Sequence, residues 1–188
     1  MDPSKWSPAD QIVRTCANHR VRFCLLFGVC MGVLMVLFLN NQAHFKTLYL
    51  WPITWMAGSI IGLWNPVVST HNPLGNNDLS IIEIGRYIFH VKHECSGISA
   101  FFIYLAAVMA YPVGGKSKLL GVVVGMPAFF LYGVLRLVLL GAIALFTPEL
   151  LRFFHLYYMV ILNLGFVMLM WSKWVNSVEQ GLHPEGAR

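Results

Sequence analysis

The sequence predicts an all-α fold: a polytopic membrane helix bundle of four to five hydrophobic segments, with a short extracytoplasmic loop or hairpin before the third segment. Hydrophobic residues make up 57% of the chain and charged residues only 11%, whereas an ordinary soluble domain carries about 25% charged residues. The longer apolar runs reach the ~20 residues that a spanning helix needs. At 188 residues, the chain has no room for a separate soluble domain.

The N-terminal residues 1–20 are predicted to form a basic cytoplasmic segment, because cations precede the first apolar run. The net charge of +5 lies at the ends of apolar runs rather than along one face, so a membrane lipid partner is expected and nucleic acid is not. No cleavable signal peptide is expected, because the first run is too long and lacks a cleavage site.

Residues 176–188 are predicted to be a polar tail. The apolar runs, which together define a transmembrane domain over 21–175, cover 21–39, 48–64, 98–113, 119–146 and 153–174.

Loop charges predict the orientation of these segments. Lys116 and Lys118, between the third and fourth runs, predict that this turn is cytoplasmic. The turn at 147–149 and the start of the third run then lie on the outer face. If the N-terminus is also cytoplasmic, two full crossings before residue 65 would return the next loop to the wrong side. We therefore expect the second segment not to cross; the alternative is an N-terminus that violates the charge bias.

The region from 65 to 94 is the only long polar stretch between the apolar runs. Within it, residues 79–91 are rich in β-branched and aromatic side chains and are interrupted by Gly85. This pattern predicts a short β-hairpin or an extended lid.

Arg136 is the only charge in the fourth apolar run. A charge at the centre of a membrane helix costs roughly 2.5–3.5 kcal/mol on insertion scales, so we expect its side chain to face a protein interior or a water-filled pocket. Its place, 17 residues after Leu119, is about 25 Å along the helix and so in the outer half of the membrane. The alternative is a structural ion pair with Glu94 or Glu149.

Cys95 lies directly before the third apolar run, at about the same predicted depth as Arg136. We expect Ser96 to cap the following helix, whose N-terminus would favour a thiolate, the nucleophilic form of cysteine. Glu94 opposes the thiolate, so a nearby cation is needed, and Arg136 can supply it. The alternative is a buried, inert cysteine.

His155 begins the fifth apolar run, and an imidazole can carry a proton near neutral pH. The alternative is an interfacial histidine without a chemical role. His93 is a competing base, but its position two residues from Cys95 predicts that it points away. Asn163, two helical turns deeper than His155, is predicted to pack helices together rather than to take part in chemistry.

Two further histidines, His71 and His90, have no context that marks them as functional.

A thiol nucleophile (Cys95), a cation (Arg136) and a proton carrier (His155) are thus predicted at one membrane depth. This combination favours thiol acyl transfer.

The run Cys95-Ser96-Gly97-Ile98, the helix with Arg136 and the helix headed by His155 resemble the exosortase/archaeosortase family, most closely the short exosortase H subgroup, over about residues 80–175. The resemblance implies a multi-pass protein of the bacterial inner membrane with its active site on the periplasmic face. It also implies a cysteine protease/transpeptidase with Cys95 as nucleophile, Arg136 as transition-state stabiliser and His155 as acid/base.

The implied partners are exported proteins whose C-terminal sorting signal comprises a short motif, a transmembrane helix and a basic tail; no cofactor or metal is expected. One departure from the family pattern is visible. Many members have Asn three residues before the arginine, where this sequence has Gly133.

Three other functions remain open from the sequence. In a non-catalytic membrane transport or assembly subunit, Arg136 would bind an anionic ligand or lipid. A zinc site could use His93, Cys95 and His155, although the chain lacks a paired-ligand motif at helical spacing. A serine-based intramembrane protease would use Ser96 or Ser99, although a thiol is the better nucleophile without a strong base.

Overall fold

The computed structural model describes residues 8–64, 67–72, 79–85 and 87–182. Within these ranges, five helical segments and three strands form the fold. The helices, each written with its internal π-helical turn where it has one, are α1 (Pro8–Asn40), α2 (Gln42–Phe45, the π turn Lys46–Leu50, Trp51–Gly62), α3 (Ile98–Ala110), α4 (Gly115–Phe146) and α5 (Leu151–Phe153, the π turn Phe154–Tyr158, Met159–Leu182). The strands are β1 (Val68–His71), β2 (Leu79–Ile84) and β3 (Tyr87–Lys92), and two 3-10 turns cover His93–Ser96 and Pro148–Leu150.

Three helical stretches are long and apolar enough to cross a membrane: Arg20–Asn40, Gly115–Phe146 and Met159–Gln180. For each helix we compare the 18 consecutive residues that are most apolar. In α4, 61% of them are buried inside the protein, whereas only 6% are buried in α1 and 17% in α5. The predicted membrane class is confirmed to this extent, and α4 is the central helix of the bundle. The predicted polar tail is helical as far as Leu182, and 1–7 and 183–188 lie outside the described residues.

The expectation of an all-α fold was too narrow, because the three strands form an antiparallel sheet in the order β1-β2-β3. The predicted hairpin is confirmed: β2 pairs with β3 from Ile84 opposite Tyr87 to Leu79 opposite Lys92. Gly85 has a φ of +58°, a left-handed conformation that suits a tight hairpin turn. The sequence did not predict β1, whose four residues are too few to show an alternating pattern.

Ring contacts show the direction of α1 along the bundle. In its first half, the ring centroid of Phe23 lies 6.4 Å from that of Trp171 in α5. Near its end, the ring centroid of Phe38 lies 5.7 Å from that of Phe102, which is close to the start of α3. Helix α1 therefore runs from the Lys116 end of the bundle towards the end that holds the sheet.

Helix α2 continues in the same direction instead of turning back. Its Ile53 packs against Gly133 of α4, and Ile61, two turns later, packs against Gly141, two turns further along α4. Because both contacts advance together, α2 lies parallel to the last part of α4. This packing agrees with the expectation that the second apolar segment does not recross.

Two apolar clusters hold the elements together. The first joins α2, the sheet and α4, and its buried members are Leu50, Ile53, Ala57, Ile61, Ile82, Ile84, Val91, Val134, Leu137 and Val138. The second joins α3, α4 and α5, with buried Ala100, Tyr104, Val108, Phe129, Tyr132, Trp174 and Val178. Its far end is fixed by two hydrogen bonds to backbone oxygens: Lys118 Nζ donates to Met109 (2.6 Å) and Trp174 Nε1 to Ser117 (3.0 Å).

Helices α3 and α4 approach closely at two glycines. The buried Tyr104 hydroxyl donates to the Gly121 carbonyl oxygen at 3.1 Å, and a Cβ at Gly125 would overlap the Tyr104 ring. Replacing Gly125 by Ala should therefore push the ring out of its place in the second cluster. Overpacking of this kind costs roughly 1–3 kcal/mol.

We expect Gly125→Ala to lower the thermal unfolding midpoint of the detergent-solubilised protein. Gly165→Ala is the matched control, because a Cβ at that helical glycine would meet no atom within 4 Å. Equal midpoints for the two variants would contradict the packing of Tyr104 against α4.

Candidate functional site

A short turn carries Cys95 from the sheet into the helical bundle. After β3, His93–Ser96 form a 3-10 turn, and Gly97, with a φ of +79°, precedes α3. The Ser96 hydroxyl is fully buried and donates to the His93 carbonyl oxygen at 2.6 Å. The expectation that Ser96 caps α3 was wrong, because Gly97 occupies the N-cap position and Ser96 instead closes the turn.

This turn lies directly against α4. A Cβ at Gly133 would come within 2.6 Å of the Ser96 carbonyl oxygen, and one at Gly97 would lie 3.4 Å from the Tyr132 ring. The departure at Gly133 from the resembled family therefore has a steric reason. An asparagine there would displace the backbone next to Cys95.

Arg136 lies one helical turn after Gly133, close to the level of the Cys95 turn, and is only 6% exposed. Its Nη1 donates to the side-chain oxygen Oδ1 of Asn163 at 3.1 Å. The Tyr132 hydroxyl donates to the same oxygen at 2.6 Å. Among the described residues, the buried Nε of Arg136 has no hydrogen-bond partner.

The alternative of a structural ion pair at Arg136 gains no support from the described side chains. Glu149 is exposed, and no carboxylate in the described part of the chain pairs with the guanidinium. The side chain of Glu94 lies outside the described residues. The hydrogen-bond partner that the structure describes for the guanidinium is therefore a neutral amide oxygen.

Asn163 has a more specific contact than its predicted role in helix packing. It joins α5 to α4 through a buried cation and a phenol rather than through another amide. The sequence contained one signal for this contact, since Asn163 is an amide in an otherwise apolar run. Its partners depend on how the two helices face each other, which the sequence does not show.

Cys95 and His155 line one cavity of about 380 Å³ between the sheet and α4. Arg136 is absent from its lining and is buried one helical turn beyond Gly133, where the Cys95 turn packs against α4. The structure thus brings two of the three predicted site residues into one cavity and places the third close to the level of the Cys95 turn. The rest of the lining is mostly apolar: Ile61, Ile82, Ile84, Ile88, Phe89, His90, Val91, Leu137, Leu140, Gly141 and Leu151.

His155 is exposed and lies in the π turn of α5; such turns occur frequently at functional sites. His90 also lines the cavity and is exposed, so a second imidazole is available. The sequence did not single out His90, because its position at the cavity depends on the pairing of β3 with β2.

His93 lies elsewhere. Its ring is buried and packs edge-on against Phe38 at 5.0 Å, and it is not among the residues that line the cavity. The proposed zinc ligands His93, Cys95 and His155 are thus not gathered, and the described part of the chain has no group of three or more His, Cys, Asp or Glu residues arranged for a metal. The hydroxyl of Ser96 is fully buried within its turn, which disfavours it as a nucleophile.

Comparison of this chain with family models, with curated proteins and with solved structures finds no match. The resemblance carried by Cys95, Arg136 and His155 therefore remains an interpretation of the sequence. The functional conclusion depends on the geometry of these residues.

Replacing Asn163 by Leu should remove the oxygen that holds Arg136 in place. We expect the alkylation of Cys95 to slow several-fold, because thiols react faster near a fixed cation and the guanidinium would lose the oxygen that holds it. The rate is measured with a maleimide in a variant whose other cysteines are replaced by Ala. Leu164→Ala is the matched control, because that neighbouring side chain is 65% exposed; equal rates for the two variants would show that Asn163 does not position the cation.

Proposed function

We propose that this chain is a membrane-embedded cysteine protease/transpeptidase that cleaves exported proteins at a C-terminal sorting signal, at the periplasmic face of the bacterial inner membrane. The observation that carries the proposal is the shared cavity of Cys95 and His155; Arg136 is buried in α4 one helical turn from the glycine that packs against the Cys95 turn. A nucleophile, a proton carrier and a fixed cation are the groups that thiol acyl transfer requires.

In the proposed reaction, the Cys95 thiolate attacks the carbonyl carbon of the scissile peptide bond and forms a tetrahedral oxyanion. The carbon–nitrogen bond then breaks, and His155 donates a proton to the departing amine, which leaves a thioester on Cys95. Water or an amine attacks the thioester, His155 takes a proton from it, and the Cys95 thiolate is released.

Arg136 suits the role of electrostatic stabiliser because its charge is fixed without being cancelled. Asn163 orients the guanidinium through a neutral oxygen, whereas a carboxylate partner would neutralise it. Burial strengthens its interaction with a thiolate or an oxyanion, because water screens the charges less.

The proposed orientation places the Lys116 end of the bundle in the cytoplasm and the sheet with Cys95 outside. The cations Lys116 and Lys118 support it, as does the packing of α1 and α2, which run in one direction from the Lys116 end to the sheet. A substrate anchored by its own membrane helix would then present the peptide just outside that helix to the cavity.

For the nucleophile, we expect Cys95→Ala and Cys95→Ser to abolish processing while the protein still inserts and accumulates. The probe is a tagged exported protein of the same genome that carries a motif, a membrane helix and a basic tail at its C-terminus. Its processing is measured as a shift in gel mobility.

We expect Arg136→Lys to slow processing at least several-fold, because a point charge does not replace the planar fork of donors that Asn163 orients.

His155→Ala should also slow processing, and His90→Ala is its matched comparison from the other wall of the cavity. Normal processing without Cys95 would refute the proposal and would favour a transport or assembly subunit that uses Arg136 to bind an anionic ligand. A loss of processing in His90→Ala but not in His155→Ala would assign the proton transfer to His90.

For orientation, single cysteines at Ser69 and at Lys116, both exposed positions, should react oppositely with an impermeant maleimide. In a background without the native cysteines, we expect Ser69→Cys to be labelled on intact spheroplasts. Lys116→Cys should be labelled only after the membrane is opened. The reverse pattern would invert the proposed orientation.

A further inference from the structure

The cavity beside Cys95 follows the outer edge of the sheet. In the order β1-β2-β3, strand β3 pairs with β2 on one side, and no strand in the described part of the chain pairs with its other side. An edge of this kind presents backbone N–H and C=O groups that can pair with a further strand.

Four consecutive residues of β3, Ile88 to Val91, line the cavity. Successive side chains of a strand point to opposite faces of the sheet, and the burial follows this rule: Val91 is 3% exposed and Ile88 is 60% exposed. Residues from both faces can line one cavity only if the cavity also reaches the strand edge between them. The backbone edge of β3 is therefore part of the cavity wall.

The edge leads directly to the candidate nucleophile. Strand β3 ends at Lys92, and the next turn holds Cys95. The four lining residues of β3 extend about 13 Å at the usual rise of a strand, a length that matches a short peptide motif.

We propose that the free edge of β3 binds the substrate as an added strand: an extended peptide, the segment just before the substrate's membrane helix, pairs with β3 and delivers its scissile bond to Cys95. Strand addition is a common mode of peptide recognition, in which backbone hydrogen bonds give affinity and pockets for alternate side chains give specificity. This inference rests on the proposed function, because it takes a peptide as the occupant of the cavity.

The same geometry defines the chemistry of the bound peptide. The cavity wall on the buried face of the sheet is formed by apolar side chains of α2 and α4, among them Ile61, Leu137 and Leu140. A Cβ at Gly141 would overlap the Ile61 side chain at 2.5 Å, so α2 and α4 pack closely at this wall. Every second residue of the bound strand faces this wall and is apolar; the residues between them face outwards and tolerate polar side chains.

Disulfide trapping tests the strand addition directly. The enzyme carries Cys95→Ala, which leaves the substrate uncleaved, lacks its other native cysteines, and has a single new cysteine at Ile88. The probe is the tagged substrate described above, with single cysteines at successive positions before its membrane helix. We expect trapped pairs to alternate, one substrate position in two, because side chains of a paired strand alternate in direction.

The matched control places the cysteine at Ser69 on β1, the other outer strand of the sheet and also an exposed position. No trapping is expected there. Trapping at every third or fourth substrate position, which indicates a helical substrate, or equal trapping at Ser69, would overturn the inference.

Substitution of the substrate gives a second measurement with the active enzyme. Asp placed at successive motif positions should abolish processing at alternate positions, those that face the apolar wall. If processing requires Cys95 but neither measurement shows a two-residue period, strand addition fails and the proposed function stands. If processing does not require Cys95, the proposed function itself fails.

Discussion

A positive charge buried inside an apolar helix bundle is the constraint on which the rest of this structure depends. Burying a guanidinium is costly unless hydrogen bonds compensate for the lost water, and here Asn163 of α5 accepts one from Arg136. The same oxygen also accepts a hydrogen bond from the hydroxyl of Tyr132. These two hydrogen bonds hold α4 and α5 together at one level of the bundle. Glycine at position 133 then brings the Cys95 turn against α4 at this level. The thiol and the cation therefore lie at nearly the same level of the bundle, because each contact fixes the position of the next.

The unusual path of α1 and α2 resolves the conflict between the loop charges and the number of apolar runs. If each run crossed the membrane separately, the sheet would lie on the side of the basic N-terminus. Because α2 continues in the direction of α1 and packs along the last part of α4, the two segments together advance only once. The sheet and Cys95 consequently lie at the opposite end of the bundle from Lys116, as the charges require.

Local patterns in the sequence predicted the features that depend on local physics. Apolar runs located the helices, and the interruption at Gly85 located the hairpin. The errors and omissions concern contacts between distant segments: the pairing of β1, the partners of Asn163, and the position of His90 at the cavity. Ser96 was assigned to the helix cap because its residue type suits a cap, but the left-handed Gly97 shifts the start of the helix by one residue.

A small sheet at the end of a helix bundle has a physical use if the proposed function holds. A peptide bond is open to a nucleophile when the chain around it is extended, but a helix that unwinds at the membrane boundary leaves backbone N–H and C=O groups unpaired. Each such group costs several kcal/mol where water is scarce (roughly 2–7 kcal/mol without a partner). The free edge of β3 offers matching groups at the cavity that holds Cys95. The strand edge would thus lower the cost of unwinding at the position where the thiolate attacks.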